Sequence, residues 1–137
     1  MAEESWTAVS ITFHSESVLA REIEQKLGVK AARTAEIGEL VSQRSPSAGR
    51  REKALCAFES PLNSEAKLRD HVAWVFEFLT QHEPTIAALP LCDKRVRLSH
   101  SCASSGQGAL AIECDDLALL VRLNVSLDID IFPADES

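Results

Sequence analysis

The chain has 137 residues, 45% hydrophobic and 26% charged, and 14 basic against 21 acidic side chains give it a net charge of −7. That length suits one domain able to bury a core without a metal or a disulfide. The negative balance disfavours nonspecific binding to nucleic acid or to an anionic membrane, which need a positive surface, and is compatible with a basic partner.

Aromatic residues are scarce, with two Trp, five Phe and no Tyr, so the core must come mostly from Leu, Val, Ile and Ala. The acidic start, Met1 to Ser5, lacks the basic residues and apolar run of a secretory signal. No window approaches the roughly 20 apolar residues of a membrane span, so the expected location is the cytoplasm. Cys56, Cys92, Cys102 and Cys114 form no Cys-x-x-Cys pair and read as free, mostly buried thiols.

From Trp6 to Phe13 the residues alternate, Val9, Ile11 and Phe13 against Ala8, Ser10 and Thr12, which predicts a half-buried strand. His14 to Ser17 breaks the alternation and supplies helix caps. Leu19, Ile23 and Leu27 then recur at a helical spacing, predicting a helix from Ser17 or Val18 to Leu27 that stops at Gly28. A second strand is expected within Val29 to Val41, ending near Gly38. Ser42 to Arg51, polar and holding Pro46 and Gly49, reads as a loop.

Lys53 to Phe58 reads as a third strand, with Ala54, Cys56 and Phe58 on one face. Ser64 is a candidate N-cap for a helix from Glu65 to His82 with Leu68, Val72, Val75, Phe76 and Leu79 on one stripe. A short helix from Pro84 to Leu89 follows. Val96, Leu98, His100 and Cys102 alternate with Arg95, Arg97, Ser99 and Ser101 in a further strand. Beyond it come a turn at Ser104 to Gly108, a short strand at Ala109 to Ile112, and a helix capped by Asp115 or Asp116. That helix runs to Leu123 with Leu117, Leu120 and Val121 inward, and Asn124 ends it. The last strand is Val125 to Phe132, with Val125, Leu127, Ile129 and Ile131 inward and Ser126, Asp128 and Asp130 outward.

The order β-α-β-β-α-β-β-α-β predicts a single α+β domain over residues 1–137, with 1–5 and 133–137 as flexible tails. Alternating strands call for a mainly antiparallel or mixed sheet, helices on one face, in a two-layer sandwich. Ile129 and Ile131 should be buried with Val9, Ile11, Phe13 and Leu127 beneath the helix of Leu68, Val72 and Phe76. Leu27-Gly28-Val29 is echoed by Leu123-Asn124-Val125, a faint internal repeat.

The first helix ends in Leu27-Gly28-Val29, followed by Ala31-Ala32-Arg33-Thr34 and Gly38-Glu39. The central helix carries Leu68-Arg69-Asp70-His71-Val72-Ala73-Trp74 and then Phe78-Leu79, and the chain closes on Leu127-Asp128-Ile129-Asp130-Ile131-Phe132. In these segments, from Trp6 to Phe132, the sequence resembles the bacterial family of domain of unknown function 4279. Ala31-Ala32 replaces that family's usual Pro-Thr. The resemblance implies the fold and carries over no catalytic or binding residue.

Known catalytic patterns are missing: there is no phosphate-binding loop, no His-Glu-x-x-His and no Gly-x-Ser-x-Gly. His100 and Cys102 share a strand face, but two ligands are too few for zinc. The expectation is therefore no catalytic residue, no metal and no cofactor. Two surface features are candidates for binding. Residues 113–137 hold seven acidic side chains against one basic, with Asp115, Asp116, Asp128 and Asp130 among them. They read either as a solvated face or as a docking patch for a basic partner, and Arg95 and Arg97 should share the face of Asp128 and Asp130. Trp74 and Phe78 flank the central helix's apolar stripe and read either as core or as an exposed aromatic anchor.

The function expected from this balance is a non-catalytic protein-binding domain. By analogy with small, acidic, motif-poor proteins, it would be an immunity protein that neutralises a bacterial toxin by docking a basic toxin domain. The alternatives are a small-molecule or peptide-binding sensor and an enzyme with a nonstandard site.

Overall fold

The alternation that begins at Trp6 continues to Ser15, and this strand, β1 (Trp6–Ser15), is the middle of a five-stranded sheet. The computed structural model describes residues 6–90, 92–102 and 110–133, without the side chains of Cys102 and Pro133. After β1 come α1 (Ala20–Leu27), β2 (Arg33–Ala35), β3 (Ala54–Glu59), α2 (Leu68–Gln81), α3 (Glu83–Ala88), β4 (Cys92–Cys102), α4 (Cys114–Leu123) and β5 (Val125–Pro133), with a 3₁₀ turn at Pro46–Ala48. The strand order is β2-β3-β1-β4-β5. All pairings are antiparallel except the last, β4 with β5. From β1 to β4 this is the β-α-β-β-α-β arrangement of ferredoxin-like folds, to which α4 and β5 add a parallel strand through a helical crossover. The helices pack on one side, giving the α+β sandwich expected from the alternation.

The core lies between the layers. Val9, Ile11 and Phe13 of β1, Ala54, Cys56 and Phe58 of β3, and Val96 and Leu98 of β4 face Ile23, Leu27, Val75, Phe76, Leu79, Ile86, Leu120 and Leu123 of the helices. Helix ends are held by long-range groups as well as local ones. The Glu36 carboxylate accepts the N–H groups of Ala20 (2.6 Å) and Arg21 (3.3 Å) at the start of α1. Lys94 is buried on the helix side of β4 and its Nζ donates to the Leu123 carbonyl (3.2 Å), a cation at the C-terminal end of α4. Gly28 and Asn124 both end their helices in the left-handed conformation, at φ 69° and 56°, so the faint repeat is a repeated helix stop.

Several expected boundaries shift. The helix expected from Ser17 or Val18 starts at Ala20, because the Ser15 hydroxyl holds the N–H groups of Ser17 and Val18 in a turn. Ser64 does not cap α2. Its carbonyl accepts from Thr7 N–H (2.8 Å), and the helix begins at Leu68. Residues 110–112 form no strand, since β1 and β5 occupy both edges of β4; Leu110 and Ile112 pack on the core instead. Ala109 and the expected turn at Ser104 to Gly108 lie outside the described residues, as do the tails 1–5 and 134–137.

Two burial expectations are overturned. In α4 the inward residues are Leu119, Leu120 and Leu123, while Leu117 and Val121 are exposed. In β5, Ile129 is 41% and Ile131 56% exposed. The cause is length. The 10-residue α4 spans about 15 Å, whereas the 9-residue β5 spans about 30 Å, so the C-terminal half of β5 runs past its covering helix.

Cys56, Cys92 and Cys114 are free, and burial pushes the Cys56 thiol from 9.0 up to about 12. Such a shift lowers the thiolate fraction roughly a thousandfold. Alkylation followed by peptide mass spectrometry is expected to modify exposed Cys114 in the native protein and Cys56 only after denaturant is added. Equal rates at the two sites would contradict the burial of Cys56.

Burial also lowers the pKa of His14, against an opposing pull from Asp93, and that of His82, whose ring packs on Phe78. The unfolded chain then takes up protons more readily than the folded one. The stability linked to these rings is complete above the ordinary value of 6.5 and is lost as pH falls through the lowered folded values. Melting temperature should decline on acidification below about pH 6.5, and less steeply in the His14→Gln, His82→Gln double variant. An identical decline in both proteins would assign the effect to other groups.

Candidate functional site

The open face of the sheet carries the residues that alternate outward: Ser10 and Thr12 on β1, Arg95, Arg97 and Ser99 on β4, and Ser126, Asp128 and Asp130 on β5. Parallel register sets Arg97 beside Asp128 and Ser99 beside Asp130. Arg95 reaches along the strand, and its Nη1 donates to both oxygens of Asp128 at 3.0 Å. Its Nη2 lies 3.5 Å from Asp93, and Arg97 Nε lies 3.9 Å from Asp128. The hydrogen bond to Asp128, then the charges of Asp93 and Asp128, raise the pKa of Arg95 further. The expected sharing of one face is thus an ion pair for Asp128, while Asp130 is exposed and makes no ion pair among the described residues.

Asp115 and Asp116 lie in the first turn of α4, where carboxylates meet the positive end of the helix. Asp115 is exposed and Asp116 half-buried. Because α4 runs back over β5 for about 15 Å, its acidic first turn stands near the level of Ile129. The acidic residues singled out by sequence therefore lie at one level of the β5 edge but on its two sides, Asp115 and Asp116 in the helix layer and Asp128 and Asp130 on the open face. Exposed apolar residues flank the same edge: Ile129 and Ile131 on the helix side of β5, Phe132 on its open face, and Leu117 and Val121 one turn apart on α4. On the open face Phe132 stacks on Trp6, ring centroids 5.8 Å apart, across Ser101.

The aromatic pair on α2 is elsewhere. Phe78 is 7% exposed and belongs to the core, 5.2 Å from Phe58 of β3 and 4.6 Å from the ring of His82, centroid to centroid. Trp74 is half-buried against it, at 5.6 Å. Phe78 is therefore not placed to anchor a partner: the wide apolar arc of α2 is covered by β3 and by the turn into α3.

Sequence reasoning missed a polar network beside the start of β1, on the edge away from β4. His71 of α2 is buried, with Nδ1 2.8 Å from the Ser60 hydroxyl and Nε2 3.0 Å from the Asn63 carbonyl. The available signal was a histidine four residues before Val75 on the buried stripe, a polar group that must find partners. His100 is likewise buried and satisfied, its Nδ1 2.8 Å from the Thr7 hydroxyl.

Among the described residues no helix is long and apolar enough to cross a membrane. No match was found among curated proteins or among solved structures. A profile of the family described as a domain of unknown function (DUF4279) matches residues 4–133. The match takes in every strand and helix of the sandwich, and the chain belongs to that family.

Proposed function

We propose that the chain is a non-catalytic protein-binding domain that docks a basic partner at the corner formed by β5 and the start of α4. The observation that carries this reading is the exposed edge strand β5, where Ile129 and Ile131 alternate with Asp128 and Asp130 and exposed Phe132 follows on the aspartates' face. Soluble proteins usually blunt a long edge strand with lysine, proline or a covering element. A cluster of exposed large apolar residues rimmed by charge is the composition expected of an interface. The carboxylates would steer and select a basic surface, and the apolar side chains would supply the affinity. An immunity protein that neutralises a bacterial toxin by direct binding is the specific form of this reading, and a basic toxin domain fits the charge. Trp74, half-buried on another flank, is a packing residue in this proposal.

Affinity capture from the native host with wild-type protein, an Asp128→Lys, Asp130→Lys variant and an Ile131→Asp variant tests it. A specific partner should be captured by the wild type and lost from both variants. With that partner purified, the lysine variant should associate about tenfold more slowly at low salt. Trp74→Ala should lower stability by about 2–4 kcal/mol and leave binding unchanged. A partner retained by both folded interface variants as well as by the wild type would move the interface away from this edge.

A further inference from the structure

β3 ends at Glu59 although β1 continues past their last pair, Ser10 with Glu59, back to Trp6. Pro61 has no N–H and cannot continue the ladder. The chain bulges away and returns: Ser60 N–H donates to the Val9 carbonyl (2.9 Å) and Thr7 N–H to the Ser64 carbonyl (2.8 Å). His71 pins this bulge from the helix side through the Asn63 carbonyl and the Ser60 hydroxyl. Between the bulge and the sheet lies a cavity of about 380 Å³, lined by Ser10, Glu59, Ser60, Leu62, Arg97 and Ser99 among others.

Glu59, Ser10 and Arg97 are cross-strand neighbours, one row on the open face of β3, β1 and β4. Two strand spacings put the Cα atoms of Glu59 and Arg97 about 10 Å apart. Among the described residues Glu59 makes no ion pair, and the nearest carboxylate to Arg97 is Asp128, at 3.9 Å from Nε. A negative and a positive group thus face one cavity without neutralising each other. The edge of β1 adds main-chain groups, since the Val9 amide and the Thr7 carbonyl lie on the same strand edge as the groups that hold the bulge.

We infer that this cavity binds a short zwitterionic peptide, its carboxylate on Arg97 and its ammonium on Glu59. Each extended residue adds about 3.5 Å, so the charged ends of a dipeptide stand about 6 Å apart and, with a hydrogen bond of about 2.8 Å at each, span side chains that rise upright from the row, whereas a longer peptide overshoots it. Leu62 offers one apolar wall for a side chain. The volume is at the small end of ligand pockets, which run from about 300 to 1,000 Å³. His71 acts through the bulge it fixes and is a positioning residue.

NMR titration of the ¹⁵N-labelled full chain with Ala-Leu, N-acetyl-Ala-Leu and Ala-Leu-amide tests the assignment. Ala-Leu should shift the amides of Ser10, Glu59 and Arg97 saturably, and each blocked peptide should bind at least about tenfold more weakly, the value of one charged hydrogen bond. Glu59→Gln and Arg97→Gln, both at exposed positions, should weaken Ala-Leu by a similar factor with unchanged melting temperature. Blocked peptides binding as well as Ala-Leu would overturn the two-charge reading, and this arm uses wild-type protein, so it does not depend on the variants folding. Free leucine producing the same saturable shifts would overturn the peptide assignment. The absence of saturable shifts up to about 20 mM Ala-Leu, near the weak limit of specific affinity, would remove the site altogether.

Discussion

β1 is hydrogen-bonded along both edges, to β3 and to β4, and the other elements take their places from it. Its helix-facing residues Ile11 and Phe13 are fully buried. A slip of one residue in either pairing would turn that set to water. The two partners differ in reach: β4 follows β1 from Trp6 to Ser15, whereas β3 follows it only from Ser10 to Ser15. The mismatch leaves one edge of the start of β1 to the irregular segment after Pro61. The bulge, its histidine support and the cavity beside it all follow from two antiparallel neighbours of unequal length on one central strand.

The strand and helix pattern was legible because its signals are local. Period-two alternation marks β1, β4 and β5, and a helical stripe marks α2. Gly28 and Asn124 stop their helices through a backbone conformation that their own residue type favours. The neighbour of a strand, and whether anything covers it, is not local. Val125 and Ile131 share a face and read alike, yet Val125 is 8% and Ile131 56% exposed, because one lies under α4 and the other beyond it. The misread face of α4 has a related cause. Leu117, Leu119, Leu120, Val121 and Leu123 surround most of the helix, so periodicity cannot choose a side. The choice is made by docking on the sheet, with Lys94 of β4 tied to its last carbonyl.

Less of the site than of the fold could be read from sequence. Outward alternation placed Arg95 and Asp128 on one face, and they form the ion pair that placement allows. It could not show that Asp128 is held by Arg95 while Asp130 has no such partner among the described residues. Counting acidic residues therefore overstates the charge offered to a partner, because the first turn of α4 and the Arg95 pair each use carboxylates within the fold. Phe78 shows the opposite error. An apolar arc too wide for one contact suggested a surface, yet Phe58 of β3 and His82 meet it from the side. His71 was legible as a polar residue on a buried stripe, but its partners Ser60 and Asn63 come from a bulge that no periodic pattern announces.

The acidic residues of β5 have a consequence for the strand that carries them. A second copy of β5 added antiparallel, with the open face kept open, would set even-numbered residues against even-numbered ones. Centred on Ile129, that pairing opposes Asp128 of each copy to Asp130 of the other, a like-charge contact that is destabilising, although Arg95 offsets part of the Asp128 charge. The exposed Ile129 and Ile131 on the other face would favour the same pairing, so the carboxylates oppose what the apolar residues promote. An edge strand can be protected from self-association in this way without losing its apolar surface. The same arrangement is selective, since a strand or surface carrying lysine or arginine meets the carboxylates favourably where a second copy meets repulsion. Under the proposed function, the charge that keeps the edge from pairing with itself is also the charge that chooses its partner.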